Sequence, residues 1–251
     1  MDLSVVIPAH NEAENVGPLV REIVAALAGS AARGVGVGAG AADYEIVLVD
    51  DGSTDATFER AEALVREVPR LVIARHERSR GQSFAIVTGV RSARGTWIAT
   101  LDGDGQNDPA DIPKLLAVRA KERAAGGPLL VAGYRKKRRD TWTKRVSSRV
   151  ANAVRGRMLR DRTPDTGCGL KLFEREAFLA LPHFDHMHRF LPALFLRAGG
   201  RVVSVEVAHR PRERGASHYG MWDRLWVGIV DLCGVMWLQA RIRHPVVEPE
   251  A

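Results

Sequence analysis

The most restrictive feature of this sequence is an alternation of short apolar runs with longer segments of helical periodicity. Apolar, often β-branched runs of strand length occupy residues 3–7, 45–49, 71–74, 96–101 and 129–133. Between them, segments 12–28, 81–93 and 110–123, and a segment that ends near residue 68, carry apolar side chains at helical spacing. This alternation predicts an α/β fold with a mostly parallel sheet, right-handed crossovers and flanking helices. At 251 residues, the chain has room for one sizeable domain and a short appendage.

Candidate site residues follow three of the predicted strands at the point where each strand ends. In parallel sheets, ligands bind at the carboxyl ends of the strands, so these side chains are expected to face one crevice. They are Pro8, His10 and Glu12 after the first strand, Asp50 and Asp51 after the second, and Asp102, Asp104 and Gln106 after the fourth.

The sequence TWIATLDGDGQNDP, residues 96–109, places two carboxylates on a turn rich in glycine. Asp102 and Asp104 are separated by Gly103 and followed by Gly105, so a bulky ligand could approach the backbone closely. Mg²⁺ and Mn²⁺ prefer carboxylate oxygens, and phosphates of a substrate commonly complete their coordination. The turn therefore predicts a metal-bound diphosphate, with an ordinary polar turn as the alternative.

Charge is concentrated in one segment. Between residues 135 and 162 there are twelve Lys or Arg and two Asp, a local net charge of +10 against +7 for the whole chain. Such a segment suits nucleic-acid phosphates or an anionic membrane surface, and a solvated helix face is the third alternative. The two cysteines, Cys168 and Cys233, are too few for a disulfide framework and favour a reducing, cytoplasmic setting.

The C-terminal part contains a second candidate for membrane contact. Residues 225–238 are strongly apolar and rich in tryptophan, but these 14 residues are fewer than the about 20 that a bilayer span needs. They predict an interfacial amphipathic helix, with a buried helix or a dimer contact as the alternative. Residues 142–158, inside the basic segment, are a second interfacial helix candidate.

Four smaller features have predominantly structural interpretations. Residues 29–40, rich in Gly and Ala, are expected to form a surface excursion. Cys168 is expected to be a small packed side chain, and a turn carboxylate is the alternative to a site role for Asp50. His183, His186 and His188 lack the spacing of a metal site and are interpreted as surface loop residues.

Several segments together resemble glycosyltransferase family 2, whose members have the GT-A nucleotide-sugar-binding fold. They are VVIPAHNE near the start, VLVDDGSTD at the second strand, and the DGD turn. GYRKKRRD, PDTGCGLKLF and RPRERGASHYG look like the branch that transfers a sugar to polyprenyl phosphate, as dolichyl-phosphate mannosyltransferases do. The resemblance covers roughly residues 2–240.

The resemblance implies roles for particular residues. Pro8, His10 and Glu12 would line the nucleoside pocket, with Asp51 near the base. Asp102, Asp104 and Gln106 would hold Mg²⁺ or Mn²⁺ and, through it, the diphosphate. Arg135 and Arg212 resemble arginines that neutralise donor and acceptor phosphates, for which the guanidinium fork is well suited. Asp165 would lie near the acceptor, and His218 stands where the family usually has Lys.

The resemblance also implies a reaction and its setting. The enzyme would move a sugar, with inversion, from a UDP- or GDP-sugar to undecaprenyl or dolichyl phosphate at an anionic membrane surface, and would not bind nucleic acid. It would be cytoplasmic and peripheral on the cytoplasmic face of the membrane. Residues 1–220 would be the catalytic domain and 221–251 a membrane-surface or dimer-contact tail. Help from a small membrane protein or a second copy of the chain stays open.

Two other functions remain open at this point. A soluble family 2 enzyme acting on a sugar or protein hydroxyl shares the donor half, but it would need a catalytic base. A non-catalytic lipid- or nucleic-acid-binding module would use the basic segment as its working surface. A processive polysaccharide synthase is disfavoured, because the QxxRW segment and multiple transmembrane spans typical of that class are absent from the sequence.

Overall fold

The computed structural model describes residues 1–33, 43–122, 126–135, 155–161, 163–211 and 221–241. The strands are β1 (Leu3–Ala9), β2 (Tyr44–Asp50), β3 (Leu71–Arg75), β4 (Trp97–Thr100), β5 (Leu129–Arg135), β6 (Lys171–Glu174) and β7 (Arg201–Val207). The helices are α1 (Val16–Arg33), α2 (Thr57–Glu67), α3 (Gln82–Ser92), α4 (Ile112–Glu122), α5 (Arg175–Leu179), α6 (Leu191–Arg197) and α7 (Met221–Ala240). Two 3₁₀ turns, Pro109–Asp111 and Met187–Arg189, precede α4 and α6.

The seven strands form one sheet in the order β3-β2-β1-β4-β6-β5-β7. Every neighbouring pair is parallel except those that β6 makes with β4 and β5, which are antiparallel. The predicted α/β architecture and mostly parallel sheet are confirmed. Neither β6 nor β7 was predicted, because β6 has only four residues and β7 is partly exposed along most of its length.

Both faces of the sheet are covered, which explains why β1 and β2 are buried along their whole length. Alternate residues of β1 enter different apolar clusters: Val5 and Ile7 pack with α1, α2 and α4, whereas Val6 packs on the face covered by α3 and α6. A Cβ added to Gly89 of α3 would lie 2.4 Å from Val6 Cγ1, so glycine lets this helix approach the sheet closely.

The first helix differs from its prediction at both ends. It begins at Val16 rather than near residue 12, because Asn11 has a left-handed φ of 56° and a separate turn over Glu12–Asn15 precedes the helix. It continues to Arg33, so the first part of the predicted 29–40 excursion is helical. Residues 34–40 lie outside the described part of the chain.

The C-terminal helix α7 packs against α6, and Val235 is fully buried in the core on that side. Its other side carries an exposed apolar stripe, which we define as Ile229, Val230, Met236 and Trp237. Trp237 is 61% exposed. Among the described residues, no helix combines the length and the apolar character needed to cross a membrane.

Candidate active site

The turn after β4 is held in a single shape by its own polar groups. The backbone N–H of Asp102 donates to Asn107 Oδ1 at 3.3 Å, and that of Gln106 donates to Asp104 Oδ1 at 3.1 Å. Gly105 has a φ of 71°, which favours glycine, and a Cβ on Gly103 would lie 2.8 Å from the carbonyl oxygen of Pro8. The sequence DGDG therefore allows two carboxylates to sit directly above the end of β1.

The Asp102 carboxylate is surrounded by groups from distant parts of the chain. Gln82 Nε2, at the start of α3, donates to its Oδ1 at 2.7 Å. On another side, the backbone of Gly169 lies so close that a Cβ there would be 2.3 Å from the carboxylate. Burial and the charge of Asp104 raise the pKa of Asp102 to about 6, against the opposing charges of Lys171 and Arg135.

This chemistry fits a divalent cation. Asp102 and Asp104 supply hard carboxylate oxygens, Gln106 follows on the same turn, and a bound cation would compensate the two neighbouring negative charges. In the described part of the chain, no group of three or more His, Cys, Asp or Glu side chains is arranged to hold a metal. Mg²⁺ commonly takes only one or two protein carboxylates and completes its coordination with water and phosphate.

The residues expected around the nucleoside gather at the ends of β1 and β2. His10 is exposed, and its Nδ1 lies 2.8 Å from the backbone oxygen of Asp51. Pro8 is buried within β1. Glu12 is also buried; its backbone N–H donates to Thr57 Oγ1, and its carboxylate accepts from Asn15. Of these, His10 presents an exposed ring at the crevice.

The Asp51 carboxylate holds the loop between β3 and α3. It accepts hydrogen bonds from His76 Nδ1 (2.6 Å), Ser79 Oγ (2.7 Å) and the backbone N–H groups of Arg80 (2.8 Å) and Gly81 (2.9 Å). Burial opposes ionisation, but these bonds hold the pKa of Asp51 below its usual range. Both oxygens are used by this loop, so Asp51 shapes the expected base site by fixing residues 76–81.

The neighbouring Asp50 has the structural one of the two roles left open for it. Its Oδ1 accepts from the backbone N–H of Ser53 at 3.0 Å, and its Oδ2 lies 3.1 Å from Arg75 Nε. It therefore closes the turn after β2.

Arg135 and Asp165, both expected near the phosphates, form a bidentate ion pair. Arg135 Nε and Nη2 donate to the two oxygens of Asp165 at 2.6 and 2.9 Å. Both side chains are largely buried, and the charge and hydrogen bonds of Asp165 raise the pKa of Arg135 although burial opposes this. Asp165 therefore fixes one side of the guanidinium fork. The positive charge of Arg135 is close enough to Asp102 to favour its ionised form.

The segment that contains Asp165 is hydrogen-bonded to the sheet beside the DGD turn. Thr100 Oγ1 donates to the carbonyl of Gly169 at 2.7 Å, and the Lys171 ammonium donates to that of Cys168. Cys168 is fully buried, as expected. Burial lowers the pKa of Lys171, whereas Cys168, Asp102 and Asp165 oppose that shift. Lys171 is thus a buried cation close to the carboxylates of the site.

Arg212 and His218 lie outside the described residues, as does most of the basic segment, residues 136–154 and 162.

Arg210 connects α1 to the segment that follows β4. Its Nη1 donates to Glu22 of α1 at 2.6 Å, and its Nη2 lies 2.9 Å from Asp108. Its backbone N–H donates to the carbonyl oxygen of Gln106. A pocket of about 330 Å³ lies between α1, the Asp104–Gly105 turn and Arg210.

Four site residues were not predicted from the sequence: His76, Gln82, Gly169 and Lys171. Lys171 carried a signal, because it is a charged residue inside the apolar run LKLF, and Gly169 lies in the PDTGCGLKLF segment quoted above. His76 and Gln82 look like ordinary loop or helix-start residues until the chain folds. His188, interpreted above as a surface loop residue, is partly buried and bonds Ser83 of α3 at 2.8 Å, so that interpretation is wrong for this histidine.

Comparison with known proteins identifies sequence relatives. The chain is 37% identical over 249 residues to the dodecaprenyl-phosphate galacturonate synthase of Rhizobium johnstonii, covering 98% of this chain and 69% of that protein. It is 34% identical over 220 residues to the undecaprenyl-phosphate 4-deoxy-4-formamido-L-arabinose transferase of Edwardsiella ictaluri, covering 87% and 63%. The chain thus spans about two thirds of the length of these relatives.

Solved structures share the fold at lower identity. The glucosyl-3-phosphoglycerate synthase of Mycobacterium tuberculosis, in complex with Mn²⁺, UDP and phosphoglyceric acid, superposes with a TM-score of 0.65 at 20% identity, over 97% of this chain and 80% of that chain. S. aureus TarS in complex with UDP-GlcNAc gives a TM-score of 0.61 at 14% identity, over 95% and 66%. The family model for glycosyl transferase family 2 matches residues 4–181. The chain therefore belongs to glycosyltransferase family 2 and has the GT-A fold that the resemblance implied.

Proposed function

We propose that this glycosyltransferase transfers a sugar, with inversion, from a nucleotide-sugar to a polyprenyl phosphate, and that it uses Mg²⁺ or Mn²⁺. The observation that carries the proposal is the pair of carboxylates on the DGD turn, one of which has a pKa raised to about 6 because it is buried beside the other. The acceptor class is supported by the two relatives, both of which are named for a polyprenyl-phosphate acceptor.

In this reaction, an oxygen of the lipid phosphate attacks the anomeric carbon, and the bond from that carbon to the nucleoside diphosphate breaks. Asp102 and Asp104, with Gln106, would hold the metal, which as a Lewis acid supplies stabilisation of the leaving diphosphate. The acceptor oxygen is already anionic near neutral pH, so we assign no catalytic base. Arg135, held by Asp165, would neutralise and orient phosphate, and Arg212 would assist it.

The function is tested by nucleotide release from purified protein with Mn²⁺ or Mg²⁺, over UDP- and GDP-sugars, with and without undecaprenyl phosphate. We expect release only when the matching sugar, the cation and the lipid phosphate are all present, because the phosphate is the nucleophile. Release with a soluble hydroxyl acceptor and no lipid would instead support a soluble transferase. Absence of nucleotide-sugar binding in the presence of both cations would overturn the enzymatic proposal.

We further propose that the exposed apolar stripe of α7 rests on the membrane surface that carries the acceptor. Residues 229, 230, 236 and 237 repeat at helical spacing on the side of α7 opposite to the buried Val235. Trp is favoured at the lipid interface, and Arg241 directly follows the helix. Residues 1–220 would then be the catalytic unit and 221–251 its membrane-facing part. The free cysteines, Cys168 and Cys233, agree with the reducing cytoplasmic face.

Trp237→Glu is expected to weaken binding to anionic liposomes markedly, because it replaces the most exposed side chain of the stripe with a negative charge. Co-sedimentation at low salt measures the change. Glu67→Gln, on an exposed part of α2, serves as the control and should bind as the wild type does. If Trp237→Glu leaves liposome binding intact but converts a dimer to a monomer in solution, the stripe is a protein contact instead.

A further inference from the structure

The DGD turn is contacted by a side chain from α3, and this contact is the first of a series of contacts that leads to α7. Gln82 is the first residue of α3, and its Nε2 donates to Asp102 Oδ1 at 2.7 Å. This bond uses one of the two carboxylate oxygens. Such partners of metal-binding carboxylates fix the orientation of the ligand and strengthen metal binding.

The next residue, Ser83, is locked to the loop of residues 182–190. The backbone N–H of His188 donates to Ser83 Oγ at 3.3 Å, and Ser83 Oγ lies 2.8 Å from His188 Nδ1. Burial holds the pKa of His188 well below its usual value, so the imidazole is neutral and its Nδ1 can accept the proton of the hydroxyl. The N-terminus of α3 is therefore held by two hydrogen bonds to one residue of this loop.

The same loop also contacts α7. His186, which has a left-handed φ of 60°, lies with its Nδ1 3.1 Å from Asp231 Oδ2 of α7. Met187 is buried in the same apolar cluster as Val235 of α7. Asp231 interrupts the apolar run of α7, residues 225–238, so this contact helps to specify where α7 sits on the loop.

We propose that Gln82 is a positioning residue for Asp102, and that the loop of residues 182–190 ties it to α7, so that membrane docking of α7 and metal binding at the turn strengthen each other. The proposal rests on the metal-dependent, membrane-associated function given above. Its physical basis is thermodynamic linkage. If membrane binding by α7 and cation binding at the DGD turn both favour the same arrangement of these residues, each raises the affinity of the other. The series consists of three contacts, namely Asp231 to His186, His188 to Ser83, and Gln82 to Asp102.

The first test measures Mn²⁺ binding directly, by electron paramagnetic resonance of free Mn²⁺ in the presence of UDP or GDP. Gln82→Ala is expected to weaken Mn²⁺ binding by roughly 10-fold or more, and to raise the Mn²⁺ concentration for half-maximal rate more than it lowers the rate at saturating Mn²⁺. Ser92→Ala, an exposed residue at the other end of α3, is the matched control and should match the wild type. Equal Mn²⁺ affinity in Gln82→Ala and the wild type would overturn the inference.

The second test repeats the Mn²⁺ titration with and without vesicles that contain anionic lipid and undecaprenyl phosphate. Vesicles are expected to tighten Mn²⁺ binding of the wild type, and Asp231→Asn should lose this response while keeping its affinity without vesicles. Gln239→Ala, which removes a different contact of α7, to the Leu159 carbonyl, should keep the response. Equal loss of the response in both variants, or no response in the wild type, would overturn the coupling.

These outcomes are distinct from failure of the proposed function. If the wild type turns over without any divalent cation, the metal assignment itself is wrong. If the wild type needs the cation but Gln82→Ala and Asp231→Asn match it in Mn²⁺ affinity and in the response to vesicles, only the positioning role and the coupling are wrong.

Discussion

Asp104→Asn is expected to lower turnover by roughly 100-fold or more while leaving the fold intact, because it removes one of two anionic ligands from the proposed metal site. The amide keeps an oxygen that can accept from the backbone N–H of Gln106, so the turn should keep its shape. Loss of the negative charge also removes one of the causes that raise the pKa of Asp102. The expected result is weaker metal binding rather than an unfolded protein.

Three measurements check this expectation: steady-state nucleotide release, Mn²⁺ affinity and the midpoint of thermal unfolding. Asp2→Asn is the matched control, since Asp2 pairs with Arg119 near the amino end of the sheet and lies away from the turn. That variant should retain wild-type turnover. Near-normal turnover and Mn²⁺ affinity in Asp104→Asn would remove Asp104 from the metal site.

Gly169→Ala is expected to reduce activity to a similar degree, through packing rather than charge. The added Cβ would lie 2.3 Å from Cγ and Oδ2 of Asp102, and 2.4 Å from Oδ1, distances at which the carboxylate must move. Its movement is restricted, because Gln82 holds Oδ1 and Thr100 anchors the carbonyl of Gly169 itself. Overpacking of this kind typically costs about 1–3 kcal/mol of stability, so a lowered unfolding midpoint is expected as well.

Gly167→Ala is the control for this substitution. It lies in the same segment, but its added Cβ would have Arg135 Nη2 as its nearest contact, at 3.5 Å, an ordinary van der Waals distance. We expect it to keep most of the activity and stability. If Gly169→Ala binds Mn²⁺ and turns over as the wild type does, the close contact between Gly169 and Asp102 has no functional importance.

Much of the donor half could be predicted from sequence because its signals are local. The β-branched runs that became β1 and β2 are buried on both faces, and their burial pattern follows directly from apolar composition. Asp102 and Asp104 follow β4 immediately, so once the strand is assigned, their position at its carboxyl end is determined. Gly103 between them and Gly105 after them allow the turn that brings both carboxylates above β1.

The role of Asp51 could not be predicted in the same way. The residue was expected near the base, and it does follow β2, but its carboxylate is used by four hydrogen bonds to residues 76–81. No sequence pattern distinguishes a carboxylate that meets a ligand from one that holds a loop. The distinction depends on which donors the fold brings within hydrogen-bond distance.

By itself, the sequence determined the alternation of strands and helices, the parallel half of the sheet and the location of the paired carboxylates, because these depend on periodicity and on residues adjacent in the chain. Only the tertiary structure decided that β6 runs antiparallel between β4 and β5. That insertion carries Gly169 and Lys171 to Asp102, while α3 brings Gln82 to its other side. The physical reason is that the pKa and orientation of a buried carboxylate are set by neighbours in space, which the chain supplies from segments remote in sequence.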